Sequence, residues 1–142
     1  MLARHPIIQA SLWQPPLLIA LLMSGCASSV PICLPGTHPI VLDSLYFGTA
    51  KPDGIVTDQE WTSFLNDTVS GEFPEGLTFW MAQGRWRNAN GSASTETSHV
   101  LQLAHDGNQE RERGLQRIIH TYKSRFRQEA VMRIRSQVCR SL

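Results

Sequence analysis

Seven polar or aromatic side chains in the 142-residue chain have the chemistry to act on a ligand: Tyr46, Trp86, Arg87, Glu96, His99, His105 and Tyr122. His105 precedes Asp106-Gly107 at the end of an apolar run. A histidine there could serve as a general base if its surroundings tuned its proton affinity. Trp86-Arg87, beside the turn "NANGSAS", could stack on a planar anion and clamp it. Each has a plainer reading, a capping or surface histidine and an edge-strand tryptophan with a solvated arginine, and these are the readings the residue types favour. No two of the seven stand at a spacing that specifies a mechanism, and Ser98 lacks the setting of a nucleophile elbow.

The three cysteines carry sharper signals. Cys26 ends the stretch "LLMSGC", preceded by Arg4 and His5, the apolar run from Leu17 to Met23, and small Ser24 and Gly25. A basic start, a short apolar centre and small residues at the cut are the layout of a secretory signal. Gln9, Gln14 and Pro15-Pro16 interrupt the segment, leaving it short of the roughly 20 apolar residues that span a bilayer. A cysteine directly after the small pair resembles the lipobox of bacterial lipoproteins. That resemblance implies loss of residues 1–25, a diacylglycerol on the Cys26 thiol, and an exported domain tethered to a membrane. Ala27 after it resembles the outer-membrane sorting choice if the source is Gram-negative, with the domain facing the periplasm. An ordinary signal peptide that happens to precede a cysteine is the alternative.

In an oxidising compartment the remaining pair, Cys33 and Cys139, reads as one disulfide. No CxxC and no histidine at zinc-ligand spacing accompany them, so neither metal nor cofactor is expected.

Removing 25 residues from 142 leaves 117, enough for one hydrophobic core. The expected organisation is a signal over 1–25, a Ser-, Pro- and Gly-rich lipidated tether over 26–39, and one domain over 40–142. The mature chain balances 12 basic against 12 acidic side chains, which argues against a nucleic-acid partner. Its halves are nonetheless complementary: residues 26–96 hold 3 basic and 8 acidic side chains, and residues 97–142 hold 9 and 4. Pairing within the molecule is the favoured reading over a basic surface for an anion.

Strand signals occur in "IVLDSLYFG" (40–48), "LTFWMAQGRWR" (77–87), "HVLQLAH" (99–105) and "AVMRIRS" (130–136). Between the first two, "TAKPDGIV" is a loop with turn chemistry, and Thr57 with Glu60 forms a capping box. That box opens a helix bearing Trp61, Phe64, Leu65, Val69 and Phe73. A second helix starts near Gln109, with Leu115, Ile118, Ile119, Tyr122 and Phe126 on one face. The order predicts an α+β, ferredoxin-like βαββαβ fold, a four-stranded antiparallel sheet with two helices on one face. Its usual strand order brings Cys33 and Cys139 together.

The blocks "LYFGTAKPDG", "VTDQEWTSFL", "FPEGLTFW", "GRWRNANG" and "YKSRFRQEAVMRI", with the late Cys139, resemble the uncharacterised bacterial lipoprotein family known as domain of unknown function 3574 over about residues 33–142. The resemblance implies an exported, often lipidated α+β domain, with no assigned reaction from which site residues could be carried over.

If Met132 and Ile134 face the helices, Arg133 and Arg135 face away, and Asp43 on the neighbouring strand could pair with one of them. Asp43 then shares a helix-free face with Val41, Leu45 and Phe47. Such a face marks an interface, with a second copy, with another envelope protein or with a ligand, unless loops of the same chain cover it. The leading expectation is a membrane-anchored, non-enzymatic binding or interaction module using that face. The alternative is a cofactor-independent enzyme of the dimeric α+β barrel type, with a pocket lined by Tyr46, Trp86, Arg87 and His105.

Overall fold

The computed structural model describes residues 32–87 and 91–142, with Trp86 described by its backbone alone. Strand β1 (His38–Gly48) leads through a short hairpin, β2 (Ala50–Lys51) and β3 (Gly54–Ile55), to the first helix. The hairpin occupies the stretch expected as a loop, folded around its Pro-Asp-Gly turn. Thr57 caps the helix as its residue type requires: its hydroxyl accepts from the Glu60 N–H at 3.2 Å, and the Glu60 carboxylate accepts from the Thr57 N–H at 2.9 Å.

That helix runs as α1 (Asp58–Phe64), a π-helical segment (Leu65–Val69) and α2 (Ser70–Glu72). The wide turn inserts one residue, equivalent to about 100° of rotation. Phe73, which regular helix would leave about 120° from the Trp61 direction, is thereby turned back to the core. Strands β4 (Thr78–Arg87) and β5 (Ala93–His105) follow, then helix α3 (Gln109–Phe126) and strand β6 (Met132–Arg140). Asn108 caps α3, accepting from the Arg111 N–H at 2.9 Å. Arg127 ends it in the left-handed region at φ 53°.

The sheet order is β4-β5-β1-β6 with every neighbouring pair antiparallel, and the helices lie on one face: the fold is ferredoxin-like. Leu45, Phe47, Leu101 and Leu103 from the sheet meet Trp61, Phe64 and Val69 from the first helix and Leu115, Ile118, Tyr122 and Phe126 from α3. Phe47 lies at the centre, its ring centroid 4.5 Å from that of Tyr122 and 5.4 Å from that of Trp61. Cys33 and Cys139 are disulfide-bonded with Cα atoms 5.6 Å apart. Cys139 lies inside β6, which extends beyond the expected end of the last strand. Among the described residues no helix is long and apolar enough to cross a membrane.

The face assignment drawn from the sequence is reversed. Asp43, Leu45 and Phe47 are fully buried beneath the helices, and the register places Arg133 and Arg135 on that same face. Met132 and Ile134 face the helix-free side, 53% and 47% exposed. The reason lies in the edge position of β6. Two arginine stems there reach round to carboxylates at the rim of the core, whereas Leu45 and Phe47, in the middle of the sheet, have nowhere else to bury.

Candidate functional site

Three places concentrate chemistry: an ion network under α3, a stacked imidazole in the core, and the helix-free face with a cleft at one end.

The ion network is centred on Asp43. Its carboxylate accepts from Arg133 Nε at 2.7 Å, Arg133 Nη2 at 3.1 Å and His105 Nε2 at 2.8 Å. Arg133 also grips Glu112 on α3 with two bonds of 2.7 Å, and Arg135 reaches Glu112 at 3.1 Å. Burial works to raise the Asp43 carboxyl's pKa, but the hydrogen bonds from Arg133 and His105 and the two guanidinium charges outweigh it and hold it below the usual carboxylate range. Arg133, then Gln116, holds the Glu112 carboxyl down at about 2. His105 Nδ1 accepts from the Gly107 N–H at 3.0 Å, so Nε2 carries the proton that goes to Asp43. Both ring nitrogens are committed, which leaves none for a substrate proton. The network fastens β1, β6, the end of β5 and the first turn of α3 together. Farther along the helices, Arg111, Arg117 and Arg125 meet Glu75, Glu72 and Asp67, so the basic and acidic halves pair within the molecule.

His99 is buried and stacked on Trp61, centroids 4.3 Å apart and planes 4° from parallel. Neither of its ring nitrogens nor Trp61 Nε1 has a hydrogen-bond partner among the described residues. Burial pushes the imidazole's pKa down, which keeps it neutral. Tyr122 is buried too, its hydroxyl donating to the Gly48 carbonyl at 2.9 Å, and burial raises its pKa.

The helix-free face carries Leu42, Ser44 and Tyr46 of β1, Met132 and Ile134 of β6, Val100 and Gln102 of β5, and Trp80 of β4. Trp80 is 41% exposed, while Val100 is covered. Gln102 Nε2 donates to Ser44 Oγ at 3.2 Å in the middle of the face. By register, the charged side chains pointing this way among the described residues are Glu96 and Arg140, both at its margins.

At one end of this face a cleft of about 920 Å³ opens between the sheet, the hairpin loop at Ala50–Pro52 and the segment from Arg127 to Ala130. Tyr46, Gly48, Glu96, Ser98, Gln128 and Met132 line it. Tyr46 is thus in the cleft, whereas His105 lies on the opposite face of the sheet and the two are not brought together. Arg87 is exposed and donates to the Gly91 carbonyl at 3.2 Å. The backbone of Trp86 is in β4, beyond the cleft's Arg85. Cys26 and the whole of residues 1–31 lie outside the described residues. Gly48, Gln128 and Glu112 escaped notice in the sequence; for Glu112 the available signal was an acidic residue in the first turn of a helix in an otherwise basic half.

These features define a ferredoxin-like α+β domain with an uncovered, largely neutral sheet face and a cleft at its margin. The chain belongs to the family described as Protein of unknown function (DUF3574), whose match spans residues 43–142. No curated protein matches it. Its structure is similar to that of a phage SAM lyase in complex with S-methyl-5′-thioadenosine, at 15% identity and a TM-score of 0.52, covering 81% of this chain and 97% of that one. The same enzyme in its apo state matches at 16% identity and a TM-score of 0.51, covering 80% and 97%. At such identities the likeness is one of fold.

Proposed function

We propose that this protein is an exported, lipid-anchored envelope domain that acts as an interaction module, and that its helix-free sheet face packs against the same face of a second copy. The observation that carries the reading is the exposure of Trp80, Met132 and Ile134 on one face whose interior holds no charge among the described residues. A charged partner would find nothing there to pair with, whereas a neutral face is complementary to itself under a two-fold axis. Four strands about 4.8 Å apart and about nine residues long cover roughly 600 Å² in projection. The accessible area of a side-chain-covered face exceeds its projection, which brings it near the roughly 800 Å² per partner of a standard interface. Acyl chains on Cys26 would confine copies to a plane and raise their effective concentration.

The test is the mass of the full-length protein by light scattering in detergent, corrected for bound detergent. The expected result is a dimer that Ile134→Glu converts to a folded monomer; a monomeric parent protein, or a variant that still dimerises, overturns the reading. The anchor is tested separately by Cys26→Ser, which should release the protein from the membrane fraction.

A second reading, a cofactor-independent enzyme of the dimeric α+β barrel type, draws on the cleft. A protein of similar fold, the phage SAM lyase, is seen in complex with S-methyl-5′-thioadenosine. In this chain a reaction in the cleft would fall to Tyr46, Glu96 and Ser98, and Tyr46→Phe should then abolish turnover without altering the dimer.

A further inference from the structure

We infer that the cleft is a binding site for an organic amine, with the ammonium group held by Glu96 and Gln128 above Gly48. The inference does not rest on self-association of the sheet face.

Gly48 does not have the positive φ that calls for glycine. Its reason is space. A β-carbon there would lie well inside van der Waals contact with Glu96 Oε1 and 3.3 Å from Gln128 Oε1. The missing side chain lets two oxygens from different elements, one on β5 and one after α3, settle onto the same point of β1. The Gln128 amide cannot turn its nitrogen to that point without loss, because Nε2 donates to the Ala50 carbonyl and to the Phe126 carbonyl at 3.3 Å. Both of those partners are acceptors, so the amide oxygen must face Gly48.

Neither the Glu96 carboxylate nor Gln128 Oε1 accepts a hydrogen bond from any described residue. Two acceptors thus converge on a glycine, and no described residue donates a hydrogen bond to either. An ammonium group offers three donors, no acceptor and one positive charge, which is the complement. A calcium ion would ask for six to eight oxygens, more than one carboxylate and one amide provide. Away from Gly48 the lining joins Tyr46, Met132, Ala82 and Ala130 with Arg127 and Glu129, which are of opposite charge, with Arg85, which by register points to the other face, and with Lys51, which Glu60 holds at 2.6 Å, so the part of the ligand that lies on the sheet is apolar or aromatic. A volume of about 920 Å³ leaves room for a ligand of ordinary small-molecule size.

The test is calorimetric titration of the full-length protein in detergent with phenethylamine. Phenylpropionate, which has a similar body and the opposite charge, and calcium chloride are titrated in parallel. The amine should bind and the acid should not; Glu96→Gln should weaken the amine at least tenfold, and Gly48→Ala should abolish binding. Absence of binding at about 10 mM amine, a lenient limit for a ligand of that size, overturns the assignment. So does equal binding of the acid, displacement of the amine by calcium, or an unchanged affinity in Glu96→Gln. Should Gly48→Ala fail to fold, Glu96→Gln decides, since Glu96 is exposed and its replacement leaves the core intact.

Discussion

Replacing Asp43 by Asn should cost about 2–3 kcal/mol of folding stability, because no orientation of the amide satisfies all three donors around it. The side chain is fully buried, so water cannot take over its bonds. Of three charge-assisted bonds, an amide oxygen placed where Oδ2 was can keep two, those from Arg133 Nη2 and His105 Nε2. The amide nitrogen then confronts Arg133 Nε, which is a donor. A lost bond to a charged group is worth about 1.5–3 kcal/mol, and the doubly bonded Glu112 still neutralises Arg133, which keeps the total below the 3–5 kcal/mol typical of a broken buried pair. The assay is urea unfolding of the full-length protein at neutral pH, followed by the fluorescence of buried Trp61, with the slope of the transition unchanged. A loss below about 1 kcal/mol would refute the reasoning. A concerted replacement, Asp43→Leu with His105→Phe and Arg133→Met, should recover most of the loss, because removing every partner leaves no orphaned charge.

The acid limb of stability has two components. The folded Glu112 carboxyl holds its proton less firmly than in the unfolded chain, so its stabilisation is present above about pH 4.5 and is lost as the pH falls towards about 2, and the lowered Asp43 carboxyl adds a loss of the same sign as the pH falls below the ordinary aspartate range. His99 behaves alike one step higher: buried and neutral when folded, it gains its proton first in the unfolded chain, so stability also falls as the pH drops below about 6.5. His99→Phe should flatten that upper part of a stability–pH profile. Reducing the disulfide, which closes a separation of 106 residues, should lower stability by about 4–5 kcal/mol in the chain-entropy account, measured by the shift in urea midpoint with dithiothreitol. Arg127→Gly should raise stability by about 0.5–1 kcal/mol, since a left-handed residue at a helix end is strained unless it is glycine, and the same midpoint reads it.

Element order and disulfide partners were legible because each rested on a local signal or a topological rule. The Thr57–Glu60 box, the 3.6-residue period through Tyr122 and the alternation in β6 fixed the element types, and the βαββαβ order placed Cys33 near Cys139. The cleft was not legible. Gly48, Glu96 and Gln128 are 32 or more residues apart, and a glycine at a strand end reads as a stop signal until the neighbours that need its emptiness are in place.

The inversion of the sheet faces has a more instructive cause. Alternation tells which residues share a face; it does not tell which face receives the helices. On β1 both faces are substantially apolar, with Leu45 and Phe47 on one and Leu42 and Tyr46 on the other, so β1 alone cannot choose. On β6 the choice looked plain, Met132 and Ile134 against two arginines, and the antiparallel register then carried the wrong answer across to Asp43. The deciding residue was Asp43 itself. A lone carboxylate in a row of large apolar side chains, facing two arginines across the ladder, is what a buried, paired charge looks like in sequence. The pairing that brings the arginines inward is also what leaves Met132 and Ile134 outside. Polar anchoring under the helices and an apolar surface on the open side are therefore two consequences of one register.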